Sequence, residues 1–580
     1  MFSKSNSFTA MEKVDQNSLR FAGFFNDENI QVLAKDLSTA LTNGSICIDS
    51  QAFKSLLEDK NPFISYSLNE PKPFIAENQT IYIYRYFQYQ ERILHKIQEL
   101  VSRNTELIPT KIKQLLANQG LPFLIEKIDS ERKVDWQTVA AILAYLTDFM
   151  IITGGPGTGK TTTVAKILTL ILSENSNAEI KMAAPTGKAA NRMEQALKAN
   201  QNIPEELIEK IQTLRASTIH RLLGTNYLSP YFKHHSENPI SADVIIIDES
   251  SMLDVALFSK LLEAIGPKTK LILLGDQNQL ASVEAGSLFG DICNSVDLQN
   301  KLPKPLTQEI SLIFPKYDFS TIHSIQDSSF LQSNLIALNH SYRFKYDQKI
   351  AQLSRETVKG NWEDIQLILK DDSTPDQLVF DESYNEKLVY EFAEQYADYI
   401  QENDITVAIR KLEDLRILCA VKLGKQGIYE TNKQVEKILT RKGLIKPHSE
   451  FYENRPLIVG KNYHDLGLFN GDIGIIRDKS AWFLDEKGNP ISIAPGLISE
   501  VETVFAMTIH KSQGSEFKQV LMILPDKSNV EILTRELIYT GITRAKSKIL
   551  IQGKLELIQE AVSRKVNRAS RLKEKLQAIS

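Results

Sequence analysis

The sequence predicts an α/β fold made mainly of two parallel-sheet domains in tandem, and three observations carry that prediction. Between about residues 130 and 345 the short apolar runs FMIIT, IKMAAP, DVIIID and KLILLGD alternate with helical spacing, the pattern of βαβ units. The alternation returns after residue 346 with RILCAV, PLIVG, TVFAMTI, QVLMILP and KILIQG. At 580 residues the chain is also too long for a single core.

Residues 1–125 read as a separate α-rich N-terminal domain ending in the helical ELIPTKIKQLLANQGLPFLI. Its thirteen Lys/Arg are matched by thirteen Asp/Glu, so it offers no phosphate-binding face and is expected to dock to protein. Within it, TIYIYRYFQYQERILHKIQEL (80–100) starts with strand alternation and turns to helical spacing. Tyr82, Tyr84, Tyr86 and Tyr89 leave two readings, an aromatic docking surface or a strand and helix packed in a small core. Residues 126–345 are the first α/β domain and 346–580 the second. Near 455–503, NGDIGIIRD and AWFLDEKGNPISI read as a small β module inserted in the second. The tail SRKVNRASRLKEK (563–575) reads first as the solvated face of a terminal helix, with a partner or nucleic-acid contact as the alternative.

The net charge of −4 argues against a DNA-coating protein and leaves room for a local basic groove. Cys47, Cys293 and Cys419 are far apart and odd in number, which favours small core residues in a reducing compartment over a disulfide framework. No apolar leader and no run of roughly 18 apolar residues is present, so a cytoplasmic protein is expected. The histidines lack zinc spacing, and no carboxylate cluster suggests a nuclease centre.

The chemistry is concentrated in short motifs. GGPGTGKT (Gly154, Gly155, Pro156, Gly157, Thr158, Gly159, Lys160, Thr161), continued by Thr162, lies between an apolar strand and a helical run. Glycines there let backbone N–H groups cradle phosphates at a helix N-terminus. Lys160 is expected to reach the β- and γ-phosphates of ATP and Thr161 to offer its hydroxyl to Mg²⁺. VIIIDES brings Asp248 to the C-terminal end of a buried strand to hold the Mg²⁺ shell, with Glu249 beside it to deprotonate a water. GDQNQL, after the strand LILLG, leaves two readings, a plain turn or a loop whose Gln279 touches the γ-phosphate and reports its loss. AAPTGKAANRM and STIHRLLG each follow a strand and open a helix. Their Thr186, Lys188, Thr218 and His220 suit phosphodiester contacts or plain helix capping.

Taken in order, these segments resemble superfamily 1 helicases of the 5′–3′ branch. GGPGTGKT looks like motif I, APTGKAA motif Ia, STIHRLLG motif Ib, IIIDESSMLD motif II and LLGDQNQL motif III. LNHSYRF resembles motif IV, TIHKSQGSEF motif V and YTGITRAK motif VI. HHSENPISADVIIIDESSMLD, RILCAVKLGKQGIYETNKQVE and ENRPLIVGKNYHDLGLFNGDIGII narrow the match to the RecD family, the α subunits of exodeoxyribonuclease V. The resemblance covers about residues 80–555.

That resemblance implies two RecA-like motor domains, an SH3-like inserted module, and a small insertion near 225–241. It assigns Gln137 to adenine, Arg343 and Arg544 to the γ-phosphate across the cleft, and Thr508 and His510 to the DNA strand. It implies an ATP-driven 5′–3′ helicase acting on 5′-tailed and double-strand DNA ends, joined in a heterotrimer to RecB-like β and RecC-like γ subunits, the former carrying the nuclease. A stand-alone RecD-like helicase and a non-translocating P-loop scaffold are the alternatives.

Overall fold

The computed structural model describes residues 10–579 apart from 59–60, 104–107, 119, 127–133, 201–202, 226–228, 230, 283, 287, 297–299, 314–329, 344–347, 486–487, 528–530 and 567. Part of the insertion expected at 225–241 therefore lies outside the described residues.

Two parallel sheets form the body. The first has the spatial order Leu335–Leu338, Phe149–Gly154, Lys270–Gly275, Val244–Ile247, Ile180–Ala184, Ala216–Thr218, with every neighbouring pair parallel. Its strands are near-continuous apolar runs because both faces are covered. Met150, Ile152, Ile246 and Ile272 pack under helices Trp136–Leu146 and Lys160–Glu174. Ile151, Ile245, Ile247 and Leu273 point the other way, against helix Val255–Glu263. The period of two along each strand thus feeds two separate cores. The second sheet runs Leu378–Asp381, Ala545–Gln552, Phe517–Ile523, Leu415–Cys419, Ala506–Thr508 and is also parallel.

The inserted module is a five-stranded antiparallel sheet between Pro456 and Thr503. Leu457, Val459, Ile476 and Phe483 give it a core of its own. Pro456–Val459 pairs only within this module, so PLIVG is not one of the parallel-sheet strands among which its apolar character first places it.

The N-terminal segment carries a four-stranded sheet of its own. The strand Thr80–Ile83 and the helix Tyr84–Ser102 follow the change of period in the sequence. Of the two readings of the tyrosines, the packed one holds. Tyr82 is fully buried, and Tyr84, Tyr86 and Tyr89 lie against the core that also holds Phe258, Leu261 and Leu262 of the first α/β domain. This face docks to the chain itself.

The basic tail departs from the expectation of a solvated helix face. Helix Leu555–Ser563 ends as the tail begins, the next helix is the short Leu572–Gln577, and Leu572 and Leu576 are buried in that same core. Arg568 Nη1 donates to the carbonyl of Ser282 at 2.6 Å, while Lys575 pairs with Glu91 at 2.5 Å and with Glu77. The tail straps the second α/β domain to the first and to the N-terminal segment, with Arg568 and Lys575 engaged by internal acceptors, while Lys565 and Lys573 stay exposed. Cys47, Cys293 and Cys419 are all buried thiols. Among the described residues, no helix is long and apolar enough to cross a membrane.

Candidate functional site

A cavity of about 400 Å³ opens where the C-terminal ends of the first sheet meet the second domain, the usual ligand position in open α/β sheets. Strand Phe149–Gly154 feeds the glycine loop, and helix Lys160–Glu174 leaves it. Gly157 and Gly159 sit at φ +77° and +84°. A Cβ at Gly159 would collide with the Gln137 side chain, and one at Gly157 with Arg343. Only glycine suits both positions. The loop is braced by Thr158 Oγ1 donating to the Gly155 carbonyl at 2.8 Å, and by the Tyr342 N–H donating to the Gly157 carbonyl at 2.7 Å. Lys160 Nζ donates to the Gly154 carbonyl at 2.7 Å and lines the cavity with Thr161 and Thr162.

Asp248 and Glu249 follow strand Val244–Ile247 and face the same cavity. Burial, and then the charge of Glu249, push the Asp248 carboxyl up to about 6. Its Oδ1 accepts from the Glu249 N–H at 2.8 Å. Glu249 itself sits at φ +51°, a left-handed conformation that costs a non-glycine residue about 1–3 kcal/mol and is typically held at functional sites. The strain turns its carboxylate into the cavity beside Asp248.

Gln279 lines the cavity from the turn after Lys270–Gly275. Its Nε2 donates to Asp276 Oδ2 at 3.1 Å, and its Oε1 accepts from Arg544 Nη2 at 2.7 Å. Arg544 is 1% exposed. Its Nε and Nη1 are anchored on the carbonyls of Thr540 and Ser515 at 3.2 and 3.0 Å, inside its own domain. The same turn is stitched to the second domain three more times. Tyr539 Oη donates to Asp276 Oδ2 at 2.9 Å, Leu280 N–H to Thr540 Oγ1 at 3.0 Å, and Gln513 Nε2 to the Leu280 carbonyl at 2.8 Å.

Arg343 lines the cavity but donates to Glu516 Oε1 at 2.6 Å, and Arg192 reaches that same oxygen. Burial raises the Glu516 carboxyl, yet Arg192 and Arg343 outweigh it and hold the group at about 2. Gln137 is buried, with Nε2 donating to the Thr158 carbonyl at 3.0 Å, so here its amide braces the glycine loop. Arg192, Tyr342, Glu516 and Tyr539 are site residues that the sequence reading missed. Tyr342, Glu516 and Tyr539 lie inside the stretches LNHSYRF, TIHKSQGSEF and YTGITRAK; Arg192, near the end of AAPTGKAANRM, carries only a helical signal, three residues after Ala189 on the cavity-facing side.

The residues expected to contact DNA lie outside the lining of this cavity. Thr186 and Thr218 cap helices Gly187–Lys198 and Ile219–Leu223, accepting from the N–H groups of Ala189 and Arg221, each at 3.2 Å. Lys188 Nζ lies 3.1 Å from Glu413 Oε1 of the second domain. His220 is exposed and edge-on to Phe232. Thr508 is buried and accepts from the Lys511 N–H at 3.1 Å, so its hydroxyl caps a turn instead of facing outward. Burial, with Arg568 nearby, pushes the His510 imidazole down to about 4.

Comparison with known proteins agrees with this geometry. Residues 137–285 match the family described as an AAA domain, and residues 503–551 the UvrD-like helicase C-terminal domain. The chain is 33% identical over 556 residues to the RecBCD enzyme subunit RecD of Haemophilus influenzae, covering 89% of this chain and 83% of that one. It is 30% identical to the RecD subunit of Mycolicibacterium smegmatis, over 95% and 94% of the two chains. The ATP-dependent RecD2 DNA helicase of Deinococcus radiodurans is 26% identical over 72% of this chain and 48% of its own length.

Proposed function

Because the chain belongs to the RecD family of RecBCD enzyme subunits, we propose that it is an ATP-hydrolysing DNA helicase working 5′–3′ within a heterotrimeric exodeoxyribonuclease. Its partners in this reading are a RecB-like subunit, which carries the nuclease, and a RecC-like subunit. The complex opens and degrades double-strand-break ends for recombinational repair. One observation supports it above the others: a single cavity collects Lys160, Asp248, Glu249 and Gln279 from one sheet domain and Arg544 and Glu516 from the other. A nucleotide bound there touches both domains, so its hydrolysis and their relative motion are linked.

The roles follow from chemistry. Lys160 and the N–H groups of the glycine loop bind the triphosphate. Glu249 takes the proton of a water whose oxygen attacks the γ-phosphorus. The bond from that phosphorus to the β,γ-bridging oxygen breaks, leaving ADP and inorganic phosphate. Arg544 and Arg343 supply positive charge to the transferring group, a contribution worth about 10³–10⁵ in rate in related enzymes.

Thr161 and Asp248 fit the demands of Mg²⁺: a hydroxyl and a buried carboxylate whose raised pKa marks a charge that a cation would relieve. Among the described residues no cluster of three or more His, Cys, Asp or Glu forms an all-protein cage. That suits an ion shared with phosphates and water. When bound, Mg²⁺ screens the phosphate charge.

The test uses the full chain co-purified with its partners on duplexes carrying either a 5′ or a 3′ single-stranded tail. ATP-dependent unwinding from the 5′ tail supports the reading, and unwinding from the 3′ tail alone overturns the polarity. The RecD2 relative suggests the stand-alone alternative, which recovery of the native protein without two large partners would favour.

A further inference from the structure

None of the roles given to the stretch AAPTGKAANRM falls on its Arg192, yet the position of that side chain is that of a site residue. It stands on helix Gly187–Lys198, and Ala189, Arg192, Met193 and Ala196 of that helix all line the nucleotide cavity. This i, i+3, i+4, i+7 spacing is one helix face. Two of its members are small, so the arginine is the one cationic side chain that face presents.

The charges of the cavity point the same way. Its lining holds four cations, Lys160, Arg192, Arg343 and Arg544, against the three carboxylates Asp248, Glu249 and Glu516. Arg192 and Arg343 converge on a single oxygen, Oε1 of Glu516, with Lys546 3.8 Å from the other oxygen. One carboxylate cannot neutralise two guanidiniums, so the cluster keeps positive charge for a further anion. The arginine ends are also unequal in commitment. The Arg544 guanidinium is fully buried and anchored on two carbonyls of its own domain, whereas the Arg192 side chain is 40% exposed. A side chain that reaches solvent along a flexible stem is able to change partner at little cost.

We propose that Arg192 is a further catalytic residue: a guanidinium of the first domain that exchanges the Glu516 carboxylate for the terminal phosphate of bound ATP. Glu516 is then its positioning residue, holding Arg192 at the cleft from the opposite domain. This assignment rests on the ATPase reading above and deepens it. It also makes the Arg192–Glu516 pair sensitive to nucleotide, because the terminal phosphate and Glu516 compete for the same donor. ADP, which lacks that phosphate, leaves the pair in place.

The simpler view makes Arg192 only a strut between the domains, and nucleotide affinities separate the two. For the full chain and its Arg192→Ala variant, the dissociation constants of a non-hydrolysable ATP analogue and of ADP are measured with Mg²⁺ present. Loss of one charge-assisted hydrogen bond should weaken analogue binding by about 10- to 100-fold. ADP binding should change less than about twofold, a bound set by scatter expected of unrelated surface changes. kcat should fall at saturating ATP, and Arg192→Lys should recover part of the loss. Arg192→Gln, which stays polar and retains more of the side chain than alanine while removing the charge, serves if the alanine variant does not fold. Equal losses for both nucleotides, or none for either, overturn the proposal. If the unaltered chain binds no nucleotide and shows no DNA-stimulated ATPase, the underlying functional reading fails, and the proposal with it.

Discussion

Arg544 and Gln279 meet across the domain boundary, Nη2 to Oε1 at 2.7 Å, with both side chains buried. They are 265 positions apart and come from different sheets. The geometry divides the guanidinium in two. Nε and Nη1 hold it to its own domain, and the remaining nitrogen reports on the turn that follows strand Lys270–Gly275.

Arg544→Ala should therefore remove both a transition-state charge and a domain contact. We expect kcat for DNA-stimulated ATP hydrolysis to fall by about 10³-fold or more, equivalent to about 4 kcal/mol of barrier. Nucleotide affinity should stay near that of the unaltered chain. Arg544→Lys should rescue little, since one ammonium cannot serve three acceptors fixed in a fork. A variant with normal kcat and weakened nucleotide binding would place Arg544 in ground-state binding instead.

Lys160→Gln addresses the other side of the cavity. Its ammonium is held at the Gly154 carbonyl, at the floor of the glycine loop, and glutamine is polar but uncharged and one atom shorter. Hydrolysis is expected to drop to background with the thermal unfolding midpoint little changed. Appreciable turnover in a folded variant would remove Lys160 from the site.

How much of this was legible in the sequence depends on distance along the chain. Strand-loop-helix units such as FMIIT–GGPGTGKT–TTVAKIL are local, and the apolar run, the glycines and the lysine together specify both fold and chemistry. The pairing of Arg192 with Glu516 is not local. Neither residue differs in type from many exposed Arg and Glu, and only the packing of two domains brings them together. The tail failed for the same reason. Lys575 and Arg568 look solvated in sequence, while Leu572 and Leu576 between and beyond them decide that the segment is buried.

The ion pair between Lys188 and Glu413 spans the cleft where a DNA strand is proposed to lie. Both side chains are about one-third exposed, 30% and 37%, so the pair adds little stability, about 0–1 kcal/mol. Glu413 competes with phosphates for the lysine. Glu413→Gln should tighten single-stranded DNA binding several-fold, and Lys188→Ala should weaken it. The alanine change should also flatten the plot of log affinity against log salt by about 0.7, the loss of one phosphate contact on a single strand. Unchanged salt dependence in Lys188→Ala would show that this lysine does not touch the strand.

Of the two histidines proposed as strand contacts, His510 predicts a flat pH response. Partial desolvation of the His220 ring beside Phe232 lowers its pKa although the residue reaches solvent, and burial with Arg568 brings His510 to about 4. An imidazolium contact would tighten binding as pH falls, since the protonated form is the one that attracts phosphate. Between pH 8 and 6 His510 stays neutral, so affinity for an oligothymidylate should vary much less than the tenfold or so that one charge-assisted hydrogen bond carries. Fluorescence anisotropy at constant ionic strength is the measurement. A steep gain on acidification would mean that a histidine is charged when DNA is bound.

Residues 1–125 are expected to be indispensable to the folded chain, even though the motor motifs all lie beyond them. Phe87, Ile93, Ile97 and Leu100 on helix Tyr84–Ser102 are buried in the core they share with Phe258, Leu261 and Leu262. At about 1.5–3 kcal/mol for each buried side chain, these four contribute roughly 6–12 kcal/mol as an upper limit. That is comparable to the whole stability of an ordinary domain, about 5–15 kcal/mol. The tail loses its seat as well, because Lys575 pairs with Glu77 and Glu91 of the deleted segment. A chain starting at residue 126 should aggregate or melt far below the full-length protein, and should lose ATPase activity along with any partner contact. Size-exclusion chromatography and a thermal melt check this directly. A monomeric truncated chain with full DNA-stimulated ATPase would show that the shared core is dispensable and that the N-terminal segment serves only for docking.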